Sequence, residues 1–346
     1  MSALRITEVV TTDVFAGTER YVAEVSRELG ARGHEVTVVG GDPAPMIRWT
    51  GPEVRWLPGS SPREAVRTLA HGGRRDVVHS HMTRADFVAA LTAPVTRGAR
   101  VSTRHITVPR GHSAPARRVA PLVRRTLHAE LAVSEWTSQQ LERPADVVLL
   151  NGVRAVPDGP ERREPLVVVA QRLAPEKDTA TAVRAFAASG LAGRGWRLVV
   201  AGNGEQQPDL QRLAVDLGIA DHVAFPGWVD DVPALYDRAS VLLAPAPTEP
   251  CGLTVIEAMA HGLPVVAAAA GGHLETVGQH SAAALFTPGD VRAAADHLVR
   301  LADDPAARTA YGTTLRALQR DRLTLEAHVD RLESVYRDVL ARRAAR

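Results

Sequence analysis

The chain has 346 residues, of which 45% are hydrophobic and 23% are charged, and its formal net charge at pH 7 is only +2. This length and composition predict a soluble globular protein of about two domains, without an apolar run that approaches the roughly 18 residues of a membrane span. The single cysteine, Cys251, excludes an internal disulfide framework and a cysteine-based zinc site.

Short apolar runs alternate with amphipathic stretches through the first half of the chain. The strand-like runs are Leu4 to Val10, Glu35 to Val39, Asp76 to His79, Ala99 to Thr103 and Glu130 to Val133, and the helical stretches include Thr18 to Arg32 and Arg84 to Thr92. This alternation is typical of parallel βα units. The first residues lead directly into a strand without a secretory hydrophobic segment, so we expect a cytoplasmic protein.

The alternation is interrupted at 154–165, a charged stretch with three prolines that we interpret as an interdomain linker. It then resumes in five strand-like runs: Leu166 to Ala170, Trp196 to Ala201, Val223 to Phe225, Val241 to Ala244 and Val265 to Ala268. The sequence therefore predicts an α/β fold of two doubly wound, Rossmann-like domains, 1–153 and 166–322, that face each other across a cleft. A long charged helix, 323–346, is expected to pack back on the first domain.

The positive charge is unevenly distributed. No carboxylate lies between Asp86 and Glu130, and the arginines in this interval include Arg97, Arg100, Arg104, Arg110, Arg117, Arg118, Arg124 and Arg125. We expect this basic stretch to attract anions. It lacks Phe, Trp and Tyr from Arg97 to Arg125, so the stacking surfaces for single-stranded nucleic acid are missing and nucleic acid is not an expected partner.

A helix predicted within the basic stretch has an apolar face opposite its arginines. The apolar residues are Val119, Leu122, Val123 and Leu127. This pattern fits either a helix at a membrane interface or a helix packed on the core with a wet basic face. We favour the second, because the apolar face has no bulky aromatic anchor.

The turn Gly202-Asn203-Gly204 follows a strand-like run, as a dinucleotide-binding loop would. Gln207 occupies the position of the third glycine of that fingerprint, and the turn lies in the second half of the chain instead of after the first strand. A dehydrogenase is therefore not favoured.

Lys177 is the only lysine among the 41 basic side chains. Arg172 precedes it at the end of a strand-like run, and Pro175 and Asp178 mark a loop and a helix start, so both cations lie in one strand-to-helix loop. A compact ammonium and a planar guanidinium meet phosphate oxygens differently, which favours an anion-binding role for the retained lysine. The alternative is a lysine left by chance on a solvated loop.

Two glutamates eight residues apart, Glu249 and Glu257, flank a predicted helix start near Gly252. Glu249 belongs to the loop and Glu257 lies about a turn into the helix, so both carboxylates can face one ligand. The backbone N–H groups of Gly252, Leu253 and Thr254, reinforced by the helix dipole, form an anion site. A diphosphate fits these donors, and sugar or ribose diols fit the two carboxylates, which only accept hydrogen bonds.

Arg172 and Lys177 are expected to balance the charge of such a diphosphate without a metal. Each close contact between a cation and a phosphate contributes on the order of ~4 kcal/mol before desolvation at an effective dielectric near 20. The chain also contains no Asp-x-Asp sequence. These residues together favour a nucleotide-sugar ligand, with no metal and no further cofactor.

A set of motifs runs over nearly the whole chain. They are Ala16-Gly17-Thr18-Glu19, Arg32-Gly33-His34-Glu35-Val36, His79-Ser80-His81, His105, Ala132-Val133-Ser134-Glu135, Asn151-Gly152-Val153, Arg172-Leu173-Ala174-Pro175-Glu176-Lys177, Gly202-Asn203-Gly204, Gly227-Trp228-Val229 and the two glutamates. In order and spacing the chain resembles the retaining GT-B glycosyltransferases of glycosyltransferase family 4. Singly, most of these motifs are weak.

The resemblance implies roles for individual residues. The implied catalytic residues are His105, Arg172, Lys177 and Glu249, and the implied donor-binding residues are Gly17, Gly204, Val229, Gly252, Leu253, Thr254 and Glu257. In this scheme Arg172 and Lys177 hold the donor diphosphate, and Glu249 and Glu257 bind a sugar hydroxyl and the ribose diol. The backbone near Val229 meets the base.

On the first domain, the resemblance places His105 near the transferring sugar, although a structural histidine bonded to backbone is the alternative. The acceptor-side candidates are Glu19, His81 and Arg104. His79 and His81 occupy a strand end, and we expect one ring to face the cleft and the other the core. Ala16 stands where the family often has a second glycine, which places the geometry of that loop in question because alanine tolerates positive φ poorly.

The expected activity is transfer of a hexose-type sugar from a nucleotide diphosphate to an acceptor, with retention and without a side-chain nucleophile. The expected acceptors are a small natural product or a cell-surface glycan precursor, including a lipid-linked one. Two alternatives stay open: a protein that binds a nucleotide-sugar without transfer, and an epimerase or pseudo-glycosidic coupling enzyme on the same fold. Association with a membrane surface is not favoured, and the base and the oligomeric state are left open.

Overall fold

The structure is a computed structural model that describes residues 2–111, 114–157 and 163–345. It divides into two compact units, the first comprising Met1–Asn151 with Leu325–Arg346 and the second Gly152–Thr324. The stretch interpreted as a linker, 154–165, falls within the second unit, and its residues 158–162 lie outside the described part of the chain.

The described residues of the first unit form a seven-stranded parallel sheet in the order β3-β2-β1-β4-β5-β6-β7. Its strands are β1 (Arg5–Val10), β2 (Glu35–Gly40), β3 (Val54–Leu57), β4 (Val77–His81), β5 (Ala99–Arg104), β6 (Ala129–Ala132) and β7 (Val147–Val148). Its helices up to residue 139 are α1 (Gly17–Ala31), α2 (Pro43–Thr50), α3 (Pro62–His71), α4 (Met82–Leu91), α5 (Ala93–Thr96), α6 (Ala114–Thr126) and α7 (Glu135–Gln139).

The described residues of the second unit form a six-stranded parallel sheet in the order β10-β9-β8-β11-β12-β13. Its strands are β8 (Leu166–Ala170), β9 (Arg197–Ala201), β10 (Val223–Gly227), β11 (Val241–Ala244), β12 (Val265–Ala268) and β13 (Ala284–Phe286). Its helices are α8 (Thr179–Ala188), α9 (Gln207–Asp216), α10 (Val232–Arg238), α11 (Leu253–Ala260), α12 (Val291–Asp303) and α13 (Pro305–Arg322).

The last helix, α14 (Leu325–Ala344), belongs to the first unit. Leu332, Tyr336 and Val339 of this helix share a buried core with Ile6 and Val10 of β1. The predicted helix at 323–346 therefore starts two residues later in the structure, after α13 has ended at Arg322. Among the described residues, every helix is too short or too polar to cross a membrane.

The sheet of the first unit is covered on both faces, as alternation along β1 shows. Ile6 and Val10 belong to the core that includes α1 and α14, whereas Val9 packs with Leu69 and Val88 of α3 and α4. Successive side chains of a strand point to opposite faces, so a strand covered on both sides buries both sets of side chains. In β1 these include the polar Thr7 and Glu8 as well as apolar residues.

Each sheet has one place where its strand order reverses. In the first unit it lies between β1 and β4, and in the second between β8 and β11. The loops that leave the carboxyl ends of two such strands diverge to opposite faces of the sheet and open a crevice, where ligands of doubly wound sheets bind. The predicted α/β fold is confirmed, and these two places are where functional side chains are expected.

Candidate functional site

The reversal point of the second sheet brings Lys177 and Glu249 together. Lys177 lies in a 3₁₀ turn, Pro175–Lys177, that follows β8, and Glu249 lies in the loop that follows β11. The Lys177 Nζ donates to Glu249 Oε2 at 2.5 Å, although the two residues are 72 positions apart. Both side chains are mostly buried, with 20% and 17% of their surface exposed. The only lysine of the chain is therefore a paired, mostly buried cation at the carboxyl edge of the second sheet.

The second oxygen of Glu249 caps the following helix. Oε1 accepts from the backbone N–H of Gly252 at 3.0 Å, and Gly252 itself has φ +84° immediately before α11. Burial raises the pKa of the Glu249 carboxyl. The charge of Lys177, the neighbouring His273 and these hydrogen bonds together lower the pKa by more than burial raises it, so the pKa lies below its usual value. Glu249 is therefore ionised at neutral pH.

This cap changes the anion site expected from the sequence. The N–H of Gly252 is not free, because it donates to Glu249. Leu253 and Thr254 form the first turn of α11, where backbone N–H groups have no helical partner. The predicted site for a phosphate thus keeps two of its three backbone donors, and the ammonium of Lys177 stands beside the same loop.

Gly271 and Gly272, which follow β12 and were missed by the sequence analysis, pack against the backbone of the Glu249 loop. Gly272 donates its N–H to the Glu249 carbonyl at 2.7 Å. A Cβ on Gly271 would lie 2.3 Å from that carbonyl oxygen, and a Cβ on Gly272 would lie 2.5 Å from the Cα of Cys251. Only glycine allows this approach. The doubled glycine at a strand end was the signal for it.

His273, which follows these glycines, was also missed. It is buried, and its Nδ1 donates to the Ala268 carbonyl at 3.1 Å. Burial lowers the pKa of His273 below its usual value, against the opposing effect of Glu249, so the ring is neutral at pH 7. It provides a fixed neutral wall beside Glu249.

The two other charged residues assigned to this site occupy neighbouring positions. Arg172 lies in the loop after β8, where its side chain is 66% exposed and pairs with Glu176. Glu257 lies in α11 and accepts from the Tyr236 hydroxyl at 3.0 Å. Val229 follows β10 and is half-buried. The structure thus joins Lys177 to Glu249 directly and places Arg172 in the same loop as Lys177.

The Gly202-Asn203-Gly204 turn holds the loop that carries Arg172. Leu173 donates its N–H to the Asn203 carbonyl at 2.9 Å, and Gln206 donates to the Leu173 carbonyl at 3.2 Å. A Cβ on Gly204 would lie 2.1 Å from the Leu173 carbonyl oxygen. The turn is therefore a backbone contact between the loops that follow β8 and β9.

Gly204→Ala is expected to destabilise the second unit by about 1–3 kcal/mol or more, because a methyl group cannot fit against a backbone carbonyl without moving it. The displaced loop carries Arg172, so catalytic activity should fall as well. Urea denaturation checks the first effect. The matched control is Gly193→Ala, whose Cβ would meet nothing within 4 Å. Equal stability of the two variants would contradict this description of the turn.

The reversal point of the first sheet carries a second group, the buried histidine cluster, defined as Glu8, His79, His81, His105 and Tyr336. The His81 Nε2 lies 2.6 Å from Glu8 Oε2, and the His81 Nδ1 lies 3.0 Å from His105 Nε2. The His79 Nδ1 contacts the Tyr336 hydroxyl at 2.7 Å, and that hydroxyl donates to Glu8 Oε1 at 3.0 Å. These side chains are at most 7% exposed.

The expectation that His79 and His81 face opposite directions is wrong. Their ring centroids are 4.3 Å apart and both rings are buried. Residues two apart in a strand point to the same face, which places both rings beside Glu8 of the adjacent strand β1. One atom each of Glu8, His79 and His81 lies within 4.8 Å of the others, a spacing that a metal site could use. Here those atoms hydrogen-bond within the cluster and satisfy each other.

Glu19, an acceptor-side candidate, is engaged locally. Its carboxylate accepts from the Thr12 hydroxyl at 2.8 Å and from the Ala16 N–H at 3.0 Å, and the residue is 2% exposed. Ala16 has φ −132°, an extended conformation that alanine adopts readily, so the missing second glycine imposes no strain. Gly17 begins α1 directly after it. Glu19 thus shapes the loop after β1 instead of offering a free carboxylate.

The expectation that the whole basic stretch attracts anions is wrong for three of its arginines. Arg104, the third acceptor-side candidate, is 1% exposed and bonds to Glu130 at 3.3 Å. Arg110 bonds to Asp86 at 2.7 Å and also to Glu130, and Arg124 bonds to Glu130 at 2.6 Å. Asp86 and Glu130, which bound the stretch in sequence, therefore pair with these three arginines in the structure.

The helix in the basic stretch also differs from its predicted orientation. In α6 Ala120 and Val123 are buried, whereas Val119 and Leu122 are 45% and 57% exposed. They share the solvent side with exposed arginines, which are Arg117, Arg118 and Arg125. Pro121 stands inside this helix. The apolar and basic residues are thus mixed on the exposed side, and Leu122 does not pack on the core.

Two family descriptions match consecutive segments of the chain. Residues 15–155 match Glycosyltransferase Family 4, and residues 157–317 match Glycosyl transferases group 1. The chain belongs to the family 4 glycosyltransferases. The resemblance to this family of glycosyltransferases is therefore confirmed, and the two matched segments reach from residue 15 to residue 317.

Among curated relatives, the glycosyltransferase is 36% identical over 149 residues to 2-deoxystreptamine glucosyltransferase of Streptomyces kanamyceticus, covering 42% of this chain and 38% of that protein. It is 37% identical over 162 residues to a GDP-mannose-dependent alpha-(1-6)-phosphatidylinositol monomannoside mannosyltransferase of Mycobacterium tuberculosis, covering 44% of this chain and 42% of that protein. The matches thus span about two fifths of the length of these relatives.

Solved structures show the fold over nearly the whole glycosyltransferase. Anabaena HepE, in complex with UDP and glucose, superposes with a TM-score of 0.82 at 19% identity, covering 96% of this chain and 99% of that one. Sucrose-phosphate synthase of Thermosynechococcus elongatus superposes with a TM-score of 0.75 at 20% identity, covering 97% and 99%. These similarities establish the GT-B fold.

Proposed function

We propose that this glycosyltransferase moves a hexose-type sugar from a nucleotide diphosphate donor to an acceptor, with retention of the anomeric configuration and without a metal. One observation carries the proposal. Lys177 and Glu249, joined at 2.5 Å at the reversal point of the second sheet, present a cation and an ionised carboxylate on the same edge. An activated sugar offers a diphosphate for the first and hydroxyl groups for the second.

The charge of each residue decides which part of the donor it binds. The Lys177 ammonium and the N–H groups that open α11 favour the diphosphate, because both supply positive electrostatic potential. The Glu249 carboxylate only accepts hydrogen bonds, and therefore binds a sugar hydroxyl instead of a phosphate oxygen. Glu257, the fifth residue of α11, is the second such acceptor and is assigned to the ribose diol.

Two groups of related proteins support this donor. Solved structures of Anabaena HepE contain UDP with glucose, or UDP-glucose. The curated relatives named above include one glucosyltransferase and one GDP-mannose-dependent enzyme. We therefore expect the donor nucleotide to be UDP or GDP. By their names, the relatives act on an aminocyclitol and an inositol lipid, and these are the first acceptors to screen.

Charge neutralisation by the protein itself is the argument against a metal requirement. As the donor bond breaks, negative charge develops on the leaving diphosphate, where Lys177 and Arg172 stabilise it electrostatically. The leaving phosphate then accepts the proton of the attacking acceptor hydroxyl. The sugar–phosphate bond breaks, the new glycosidic bond forms on the same face, and the nucleoside diphosphate leaves protonated. This route needs no side-chain nucleophile.

The test is release of nucleoside diphosphate from UDP-glucose and GDP-mannose in the presence of aminocyclitol or inositol acceptors, with the product identified by mass spectrometry. We expect acceptor-dependent release that persists in excess EDTA. Abolition by EDTA would refute the charge argument. Nucleotide binding without turnover would instead select the binding-only alternative, and an altered donor sugar without acceptor consumption would select an epimerase.

A further inference from the structure

The protons of the buried histidine cluster can be assigned one by one, starting from Glu8. Burial raises the pKa of the Glu8 carboxyl, but the adjacent His79 and His81 lower it much further, so it lies well below its usual range. Glu8 is therefore an anion that only accepts hydrogen bonds. Each group that contacts it must present a hydrogen.

His81 must donate to Glu8 through Nε2, at 2.6 Å. Burial and His79 lower the pKa of His81 to about 4, so the ring is neutral at pH 7 and carries one proton only. That proton is on Nε2, and the Nδ1 of His81 is left with a lone pair. A neutral imidazole with one donor nitrogen has one acceptor nitrogen.

The lone pair of His81 in turn fixes His105. The two rings meet at 3.0 Å between His81 Nδ1 and His105 Nε2, so His105 must donate through Nε2. Burial, with His81 next in importance, lowers the pKa of His105 well below its usual value, so this ring is also neutral. Its Nδ1 therefore holds a lone pair, and within the described residues that atom has no hydrogen-bond partner.

The hydrogen bonds of Tyr336 and His79, the remaining members of the cluster, agree with these assignments. Tyr336 donates its hydroxyl to Glu8, so the same oxygen accepts from His79 Nδ1. The Nδ1 of His79 also lies 3.1 Å from Glu8 Oε2, and its Nε2 lies 2.8 Å from the Thr103 hydroxyl, which can donate or accept. The His105 ring is held from the side by Tyr21, edge-on at a centroid distance of 4.8 Å. The proton positions assigned to His81 and His105 are therefore consistent with the contacts of their neighbours.

We propose that Glu8 and His81 are positioning residues that hold His105 with its proton on Nε2, so that His105 Nδ1 accepts a hydrogen bond from a substrate hydroxyl. This inference rests on the proposed function and on the role near the transferring sugar that the family resemblance implies for His105. Glu8 on β1 and His81 on β4 act only through His105 and touch no substrate themselves.

The assignment restricts the substrate group at this point. A lone pair on Nδ1 attracts the hydrogen of a neutral hydroxyl and repels a phosphate or carboxylate oxygen, which offers none. In the other tautomer, or in the protonated ring, Nδ1 would carry a hydrogen and would attract a phosphate or carboxylate oxygen. The group beside His105 is therefore a neutral sugar hydroxyl, and a donor sugar with a carboxylate at that position should be a poor substrate.

Nitrogen NMR of the protein labelled with ¹⁵N-histidine tests the tautomer without any ligand. The signals of His105 are identified by their loss in His105→Gln. At pH 7.5 we expect a protonated Nε2 and an unprotonated Nδ1. A proton on Nδ1 of His105 in the wild-type protein would overturn the proposal outright.

Two substitutions of His81 separate positioning from folding. A glutamine at this position offers an N–H to Glu8 and a carbonyl to His105, so His81→Gln should keep the His105 tautomer, whereas His81→Leu removes the acceptor and should lose it. The matched control is Glu333→Gln, which breaks a different buried contact, with His34 at 2.5 Å, and should leave the His105 signals unchanged. Identical His105 signals in His81→Leu and the wild type would contradict the relay.

Activity gives the second readout. With UDP-glucose or GDP-mannose, whichever is turned over, His81→Leu should lower kcat/KM about tenfold, the usual scale for one lost hydrogen bond, and His81→Gln should recover most of it. Equal losses in both variants would mean that His81 is structural only. If neither donor is turned over by the wild type, the proposed function fails while the NMR result still decides the tautomer.

Discussion

Lys177→Ala is expected to lower kcat/KM for the sugar nucleotide by about 100-fold or more, the usual scale for one lost electrostatic contact to a developing charge. The physical reason is twofold. The variant removes the ammonium that we propose binds the diphosphate, and it leaves the Glu249 carboxylate without the partner that lies 2.5 Å away. An unpaired carboxylate then repels the donor. The measurement is steady-state release of nucleoside diphosphate.

Lys177→Arg distinguishes charge from shape. A guanidinium keeps the positive charge but cannot place a single compact donor where the ammonium lies, so we expect partial recovery. Arg194→Ala is the matched control, since Arg194 forms an exposed ion pair with Asp303 in the same unit at 2.5 Å. Its activity should equal that of the wild type. Wild-type kcat/KM in Lys177→Ala would remove Lys177 from the donor site.

The stability of the first unit is expected to fall as pH decreases from about 6.5 to about 4. Burial lowers the pKa of both His81 and His328 to about 4, whereas an unfolded histidine titrates near 6.5. Between these values the unfolded chain binds more protons than the folded one, so protons favour unfolding. Each histidine contributes up to about 1.4 kcal/mol per pH unit in that window. Hydrogen exchange of peptides from β4 and α14 measures the loss.

His328→Gln tests the source of this pH dependence. His328 bonds to the Tyr21 hydroxyl at 2.8 Å and to the Leu150 carbonyl at 2.8 Å, and glutamine can supply a donor and an acceptor without titrating. The change in the free energy of unfolding per pH unit should become smaller by the contribution of one histidine. His71→Gln, at an exposed position, is the control and should leave the slope unchanged. A slope unaltered by His328→Gln would refute the assignment.

The second unit was the more predictable half of the site. Lys177 and Glu249 each follow an apolar run, and parallel strands end at a common edge, so their approach follows from the βα pattern and the family resemblance. The sequence did not reveal that Glu249 uses the Gly252 N–H, because a side chain that caps its own helix start leaves the same motif as one that faces a ligand. The consecutive glycines at 271 and 272, directly after a strand-like run, indicated a close backbone contact that the sequence analysis missed.

The first unit was less predictable because its contacts depend on register. Glu8 meets the histidines only because β1 and β4 are adjacent and aligned with Glu8 opposite His79, which no local pattern encodes. The basic stretch misled for the same reason. Asp86 and Glu130 lie outside it in sequence but reach Arg110 in space. Short strands such as β3 and β7 were missed because four and two residues carry too little periodicity.

Calorimetric titration of the wild type, Lys177→Ala and Arg194→Ala with UDP-glucose and GDP-mannose measures directly whether Lys177 binds the donor. We expect at least one donor to bind the wild type and Arg194→Ala equally, and to bind Lys177→Ala at least tenfold more weakly. Absence of binding for both donors, or equal affinity in Lys177→Ala, would contradict it.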